Sequence, residues 1–94
     1  GEMVALVGPS GSGITTLVSL IPRFHAPVSG RILIDGVDSR EYRLSWLRQQ
    51  IAIVLQEVIV LAGSIRDNLR YGRLDAGDEE VEQAARAAQA HDFI

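Results

Sequence analysis

Short runs of apolar residues along the chain predict β-strands. Residues 3–7 and residues 51–55 contain no polar side chain, which is typical of strands buried on both faces. Between them, residues 31–34, an arginine followed by three apolar residues, end at the dipeptide Asp35-Gly36, a frequent hairpin turn. We therefore expect two fully buried strands and a third strand that leads into a turn.

Helical segments are predicted between these strands. Residues 14–21 begin directly after a glycine and end at Pro22, as a helix would. Residues 42–50 also favour a helix, with Trp46 and Leu47 as the expected buried anchors. The first helix is thus expected to follow the first strand after the glycine-rich residues 8–13.

Two further helices are predicted in the last third of the chain. Ser64, with Asp67 three residues on, resembles a capping box that opens a short helix. Acidic residues 78–80 suit the start of the last helix, in which Glu82 and Arg86 are spaced to pair. Its apolar side chains repeat every three to four residues: Val81, Ala84, Ala85 and Ala88. The order of elements is that of an α/β fold.

The composition excludes several kinds of site. The 94 residues contain no cysteine, which rules out disulfides and thiolate metal sites. All nine basic residues are arginine, which rules out Schiff-base chemistry on lysine. The net charge of −3 and the scattered arginines argue against a nucleic-acid partner. No apolar run is long enough to span a bilayer, and no signal peptide is expected.

The glycine-rich residues 8–13 carry recognisable chemistry. They lie between a predicted strand and a predicted helix, and Gly8 and Gly13 have the spacing G-x-x-x-x-G of a phosphate-binding loop. Glycines let backbone N–H groups face an anion, and the following helix adds its positive end. Thr15 occupies the position whose hydroxyl ligates Mg²⁺ in such loops.

Position 14 departs from this motif, because Ile14 replaces its lysine. The lysine ammonium contacts the β- and γ-phosphates and stabilises charge in the transition state. Loss of one preorganised group of this kind costs about 10²–10³ in rate. We therefore expect nucleotide binding to be weak.

Other polar residues have ordinary structural explanations. Gln56 is the polar end of a predicted strand, and Asp35 and Asp38 flank a turn whose geometry they serve. Arg66 and Arg70, four residues apart, are explained as a solvated helix face. From the residues alone, none of these indicates a site.

Four segments resemble the nucleotide-binding domain of ATP-binding cassette (ABC) transporters. They are residues 1–13, residues 29–38, residues 47–57 with Gln56 in the Q-loop region, and residues 63–72. The last is similar to a segment typical of the exporter branch, which includes lipid and multidrug exporters. The resemblance covers essentially the whole chain.

The resemblance implies roles for individual residues. Thr15 would ligate Mg²⁺, and Gln56 would be a second metal ligand and the catalytic residue that positions the attacking water. ATP and Mg²⁺ are the implied cofactors. The residues implied to bind ATP are Gly8, Pro9, Ser10, Gly11, Ser12, Gly13, Ile14, Thr15, Thr16 and Gln56.

The resemblance also implies partners and a location. The partners are a second nucleotide-binding domain and, through the Q-loop region, a transmembrane domain of the same or a partner chain. The chain would lie on the cytoplasmic side of a membrane as part of a transporter, although the fragment itself would be soluble.

The implied fold is α/β, an incomplete P-loop NTPase-type (ABC ATPase) core with the start of the helical subdomain. The core portion is expected at residues 1–61, from Walker A (the phosphate-binding loop) to the Q-loop, and the helical subdomain from residues 62–94. The family continues to a signature motif, Walker B carboxylates and a switch histidine, so we expect a domain truncated at both ends. Alone, the chain is expected not to hydrolyse ATP.

Two functions remain open. The chain is interpreted as the ATP-binding part of an exporter-like nucleotide-binding domain with a degenerate Walker A. The alternative is a non-catalytic structural or regulatory fragment that associates with a partner domain or oligomerises through exposed strand edges. An unrelated P-loop kinase or GTPase is disfavoured, because it would not explain the segments around Gln56 and at residues 63–72.

Overall fold

Four α-helices and one β-hairpin form the regular structure of the computed structural model, which describes residues 1–94. Two short 3₁₀ helices, Ser39–Glu41 and His91–Phe93, complete it. The elements are α1 (Ile14–Leu20), β1 (Leu33–Ile34), β2 (Val37–Asp38), α2 (Leu44–Gln49), α3 (Ile65–Arg70) and α4 (Asp78–Ala87). They fall into two units, Gly1–Val54 and Leu55–Ile94. No helix is both long and apolar enough to cross a membrane.

The hairpin of the first unit forms at the predicted turn. Leu33 pairs with Asp38 and Ile34 with Val37 in an antiparallel ladder. Asp35 and Gly36 connect them with φ values of 50° and 78°, the left-handed conformation that two-residue hairpin turns require. The turn is confirmed, and the strand is shorter than residues 31–34.

Helix α1 confirms the predicted helix after the glycine-rich loop. It begins at Ile14 and ends at Leu20, close to the predicted end at Pro22. Gly13 precedes it with a φ of 90°, so the chain enters the helix through a left-handed residue. None of its residues is buried.

Helix α2 supplies the core of the first unit. Leu47 is only 2% exposed, as predicted for a buried anchor. The prediction for Trp46 is wrong, because its side chain is 48% exposed. Trp46 instead stacks on Tyr42, with ring centroids 5.3 Å apart, and the Tyr42 hydroxyl donates to the Ile34 carbonyl at 2.9 Å. The aromatic pair therefore connects α2 to the hairpin rather than filling the core.

The predicted strands at residues 3–7 and residues 51–55 do not form. Apart from the half-buried Ile51, their side chains are exposed, with Met3 at 97%, Val7 at 93% and Val54 at 99%. An extended segment becomes a strand only when a neighbouring segment exchanges backbone hydrogen bonds with it. The only paired strands are β1 and β2, so neither segment has such a neighbour. The predicted strand–helix alternation is thus reduced to a small mixed assembly of helices and a hairpin.

The second unit confirms the predicted capping box. The Ser64 hydroxyl accepts a hydrogen bond from the Asp67 backbone N–H at 3.0 Å, and the Asp67 carboxylate accepts one from the Ser64 N–H at 3.3 Å. These reciprocal bonds satisfy two backbone donors at the start of α3. Helix α3 ends at Arg70, two residues before Gly72.

Helix α4 packs against α3 through part of its predicted apolar face. Val81 and Ala85 are buried, whereas Ala84 and Ala88 are exposed. The predicted ion pair between Glu82 and Arg86 is absent.

The arginine face predicted on α3 is solvated only in part, since the Arg66 side chain is 51% exposed and the Arg70 side chain 27%. Arg66 pairs with the Asp78 carboxylate at 3.0 Å, and Arg70 pairs with the same carboxylate. Asp78 is the first residue of α4. Both arginines therefore pair with the start of α4, while Arg66 and Asp78 stay open to solvent.

Candidate phosphate-binding site

The glycine-rich loop and the first turn of α1 line a cavity of about 470 Å³ that is open to solvent. All nine residues predicted from the loop to contact phosphate line this cavity together: Gly8, Pro9, Ser10, Gly11, Ser12, Gly13, Ile14, Thr15 and Thr16. The structure thus brings the predicted loop residues around one space.

The loop conformation depends on its glycines. A turn is closed by the Ser12 backbone N–H, which donates to the Pro9 carbonyl at 3.1 Å. Gly11 and Gly13 have φ values of 81° and 90°, where residues with a Cβ are strained. At Gly8 the constraint is steric, since an added Cβ would lie 2.7 Å from Ser12 Oγ and 3.2 Å from Ser12 Cβ. Small residues at these positions keep the backbone accessible, as a phosphate cradle requires.

The start of α1 contributes backbone donors to the same cavity. The first bond of the helical ladder runs from the Leu17 N–H to the Gly13 carbonyl at 2.9 Å. The N–H groups of Ile14, Thr15 and Thr16 precede that bond and have no partner within the helix. Thr15 is exposed, in a position where its hydroxyl is open to a ligand.

Ile14 gives this cavity an apolar wall. Its side chain is half-buried and turns back along the loop, with Cδ1 3.4 Å from the position that a Cβ on Gly8 would take. Isoleucine has no donor and no charge. The loop therefore fits a phosphate group through its backbone, whereas its side chain at position 14 cannot neutralise the phosphate charge.

Gln56 belongs to the second unit, which begins at Leu55. It lies in a bend with Glu57, and both side chains are exposed. Its expected contact with a metal ion or a water molecule stays a prediction.

Sequence reasoning missed the arginine contacts that hold the end of α1. Arg48, on α2, donates from Nε to the Pro22 carbonyl at 3.0 Å and from Nη2 to the Arg23 carbonyl at 3.2 Å. Arg23 donates in turn to the Tyr42 carbonyl at 3.0 Å. These bonds join residues 19 to 26 positions apart, so helical periodicity contains no signal for them.

The carboxylates with altered acidity lie outside the loop. Hydrogen bonds from the Arg40 side chain, and then from the Arg40 backbone N–H, lower the pKa of Asp38 to about 2. Hydrogen bonds from Ser64 lower the pKa of Asp67, and the Gly77 N–H followed by Arg73 lowers the pKa of Glu80. Each of these carboxylates accepts a backbone bond near the start of a helix, which is a structural role.

A family model described as ABC transporter matches residues 1–94, the whole of the chain. The chain belongs to the ABC transporter family. The predicted exporter branch is also confirmed, and the chain is part of the ATP-binding domain of an exporter-type ABC transporter. The P-loop NTPase fold follows from this family, and the small assembly of helices and strands is consistent with an incomplete core.

Individual relatives match over all 94 residues. The ATP-dependent lipid A-core flippase of Chromohalobacter salexigens is 57% identical, and that of Syntrophus aciditrophicus is 53% identical. ABC transporter B family member 1 of Arabidopsis thaliana is 54% identical. The chain spans 100% of its own length in each match but only 16% of either flippase and 7% of the plant protein.

Proposed function

We propose that this chain holds the phosphates of Mg²⁺–ATP in the glycine-rich loop of an ABC exporter. The observation that carries the proposal is the cavity lined by residues 8–16, three of which are glycines. Two left-handed glycines and the sterically required Gly8 keep that backbone open. Family membership supports ATP with Mg²⁺ as the occupant, because ABC transporters in general bind it.

Different groups of the loop would bind the phosphates and the Mg²⁺ ion. Backbone N–H groups at the start of α1 donate to phosphate oxygens, and the Thr15 hydroxyl is a ligand for Mg²⁺. Gln56 would be a second ligand and would orient the attacking water through an amide that both donates and accepts. ATP, when bound, supplies the phosphoanhydride bond whose hydrolysis drives transport in this family.

Binding is proposed to be weak because Ile14 leaves the loop without its cation. Backbone amides donate hydrogen bonds but carry no net charge, and a charge-assisted bond is about twice as strong as a neutral one. No lysine stands elsewhere in the chain to replace the missing one. We propose further that these residues alone do not hydrolyse ATP.

The domain assignment and the partners belong to the same proposal. Residues 1–61 are the P-loop core portion and residues 62–94 the start of the helical subdomain. A second nucleotide-binding domain and a transmembrane domain are the proposed partners, the latter through the Q-loop region on the cytoplasmic side of a membrane. The support is family membership, since the chain spans only a small share of its relatives.

Titration of fluorescently labelled ATP with Mg²⁺ tests the nucleotide site. An Ile14→Lys variant is expected to bind about 10- to 100-fold more tightly than the parent chain, as one charge-assisted bond would give. Ile14→Met is the matched control, because it is long and flexible but uncharged, and it should bind like the parent. If Ile14→Lys gained no affinity, the proposed role of position 14 would be wrong.

Self-association is a second candidate function, favoured by the exposure of the two unformed strands. Met3, Val7 and Val54 are each more than 90% exposed. Exposed apolar segments with unpaired backbone groups invite pairing with another copy or a partner domain. Sedimentation velocity over a range of concentrations tests this candidate, which a concentration-independent monomer would contradict.

A further inference from the structure

The side chain of Asn68, the only asparagine of the chain, pairs with both backbone groups of Leu61. Its Oδ1 accepts a hydrogen bond from the Leu61 N–H at 2.8 Å, and its Nδ2 donates to the Leu61 carbonyl at 2.9 Å. Nδ2 also donates to the Ser64 carbonyl at 2.9 Å. In an antiparallel ladder, the backbone of a partner residue would form these two bonds with Leu61. Here the Asn68 side chain forms both of them.

The segment before Leu61 has no other hydrogen bond to the rest of the chain. After the Ile51 N–H, which donates to the Arg48 carbonyl, no residue from 52 to 60 takes part in one. Val58, Ile59 and Val60 are 84%, 73% and 75% exposed, so packing does not hold them either. The segment that starts at Gln56 is therefore held by hydrogen bonds only at its end, where Leu61 bonds to Asn68.

Asn68 is itself held in place by the hydrogen bonds at the start of α3. Asn68 lies in α3, one residue after Asp67 of the capping box, and its own N–H donates to the Ser64 carbonyl at 3.1 Å. The Ser64 hydroxyl is bonded to the Asp67 carboxylate at 2.6 Å. Side-chain bonds thus hold the first turn of α3 and the loop before it as one piece.

We propose that Asn68 is a positioning residue for the Q-loop segment, residues 56–61, which it fixes to helix α3 at Leu61. A carboxamide carries an N–H donor and a carbonyl acceptor side by side, so it can bond to both backbone groups of one residue. An aspartate keeps the acceptor but loses both donors, and an alanine loses all three bonds. The link between this segment and nucleotide state rests on the proposed function, whereas the positioning itself does not.

Nuclear magnetic resonance of the ¹³C,¹⁵N-labelled chain tests the proposal directly. The parent chain should show a scalar coupling across the hydrogen bond between the Leu61 amide nitrogen and Asn68 Cγ. In Asn68→Ala, the Leu61 amide should exchange with solvent about fivefold faster or more, as loss of one hydrogen bond predicts. In Asn68→Asp the acceptor of the Leu61 N–H remains and only the bonds to the Leu61 and Ser64 carbonyls are lost, so the increase should be smaller. Resonances of residues 56–60 should shift, while amides of α3 and α4 keep their exchange rates.

Gln83→Glu is the matched control. It makes the same amide-to-carboxylate change on an exposed residue of α4, whose only side-chain bond is a 3.5 Å contact with Glu79. It should leave Leu61 unchanged.

Three results would overturn the proposal. These are no coupling in the parent chain, an Asn68→Ala variant that protects Leu61 as the parent does, and a uniform acceleration of exchange throughout α3 and α4. Titrations with Mg²⁺–ATP on the same samples report on the proposed function separately, since the phosphate loop belongs to the other unit of the chain. Failure of ATP binding would leave the positioning result standing.

Discussion

The Arg48 guanidinium lies over the ring of Phe24, with Cζ 5.2 Å from the ring centroid. The same group donates to the carbonyls of Pro22 and Arg23, which follow the C-terminal end of α1. A side chain on α2 thus binds two carbonyls of the loop that follows α1. Because α1 buries none of its own residues, this contact is a principal restraint on the helix that carries the phosphate loop.

Replacing Arg48 should therefore destabilise the first unit. Arg48→Met keeps an apolar stem but removes both hydrogen bonds and the cation–π contact, and the free energy of unfolding should fall by about 1 kcal/mol. Urea titration followed by the fluorescence of Trp46, the only tryptophan, measures this change. Arg31→Met is the control, because Arg31 is exposed and makes no hydrogen bond. Equal losses in both variants would argue against the contact.

The single large side chain in the core of the first unit should be the most sensitive position. Leu47→Ala removes the packing of a residue that is 2% exposed, which costs about 2 kcal/mol or more. Leu44→Ala changes the same residue type in the same helix at a site that is 38% exposed. Circular dichroism during urea titration should show a clear loss for Leu47→Ala and a much smaller one for Leu44→Ala.

Steric crowding at Gly8 should limit what the phosphate loop accepts. In an Ile14→Lys background, Gly8→Ala places a Cβ 2.7 Å from Ser12 Oγ and should weaken ATP binding by about fivefold, the equivalent of one hydrogen bond. Adding Ser12→Gly removes the crowding atoms and should restore part of the affinity. Gly72→Ala, with no atom within 4 Å of the new Cβ, should have no effect. An undiminished affinity in Gly8→Ala would show that the loop adapts without cost.

The capping box formed by Ser64 and Asp67 should stabilise α3. Ser64→Ala removes the side-chain acceptor of the Asp67 N–H and should cost about 1 kcal/mol. Ser45→Ala, on exposed α2 surface, makes the same substitution without breaking a side-chain hydrogen bond, and it should not destabilise the chain. Amide hydrogen exchange in α3 distinguishes the two, and unchanged exchange in Ser64→Ala would contradict the assigned cap.

Acidification should break the contact between Asp38 and Arg40. The pKa of Asp38 is lowered to about 2 in the folded chain, against about 3.9 for an unperturbed aspartate. A lowered folded-state pKa means that the contact stabilises the fold above about pH 4, and that this contribution is lost as the pH falls towards 2. The Arg40 amide resonance should titrate with a midpoint near 2 and should lose that step in Asp38→Asn. A midpoint near 4 would contradict the contact.

Local chemistry in the sequence was a good guide wherever a short segment supplies its own partners. The turn at Asp35-Gly36 needs only two residues that tolerate positive φ, and both adopt it. The capping box at Ser64 closes within three residues. The glycine-rich loop is likewise local, so the nine residues predicted to surround a phosphate do line one cavity.

Elements that depend on distant partners were predicted less well. Apolar composition alone predicted strands at residues 3–7 and 51–55, which do not form. A strand needs an adjacent segment that exchanges backbone hydrogen bonds with it, and composition does not identify that segment. Trp46 was expected in the core, yet helical periodicity does not say which of two adjacent apolar residues faces inward. Leu47 took that place because its side of α2 faces the rest of the unit.

The sequence by itself determined the family, the phosphate-loop pattern and the loss of its lysine, because these are properties of residue identity and spacing. Only the tertiary structure decided which polar side chains hold segments in place: Arg48 on the end of α1, Asp78 between Arg66 and Arg70, and Asn68 on Leu61. The physical reason is that such side chains bond to backbone or charged groups many residues away. Those partners become neighbours only after the chain has folded.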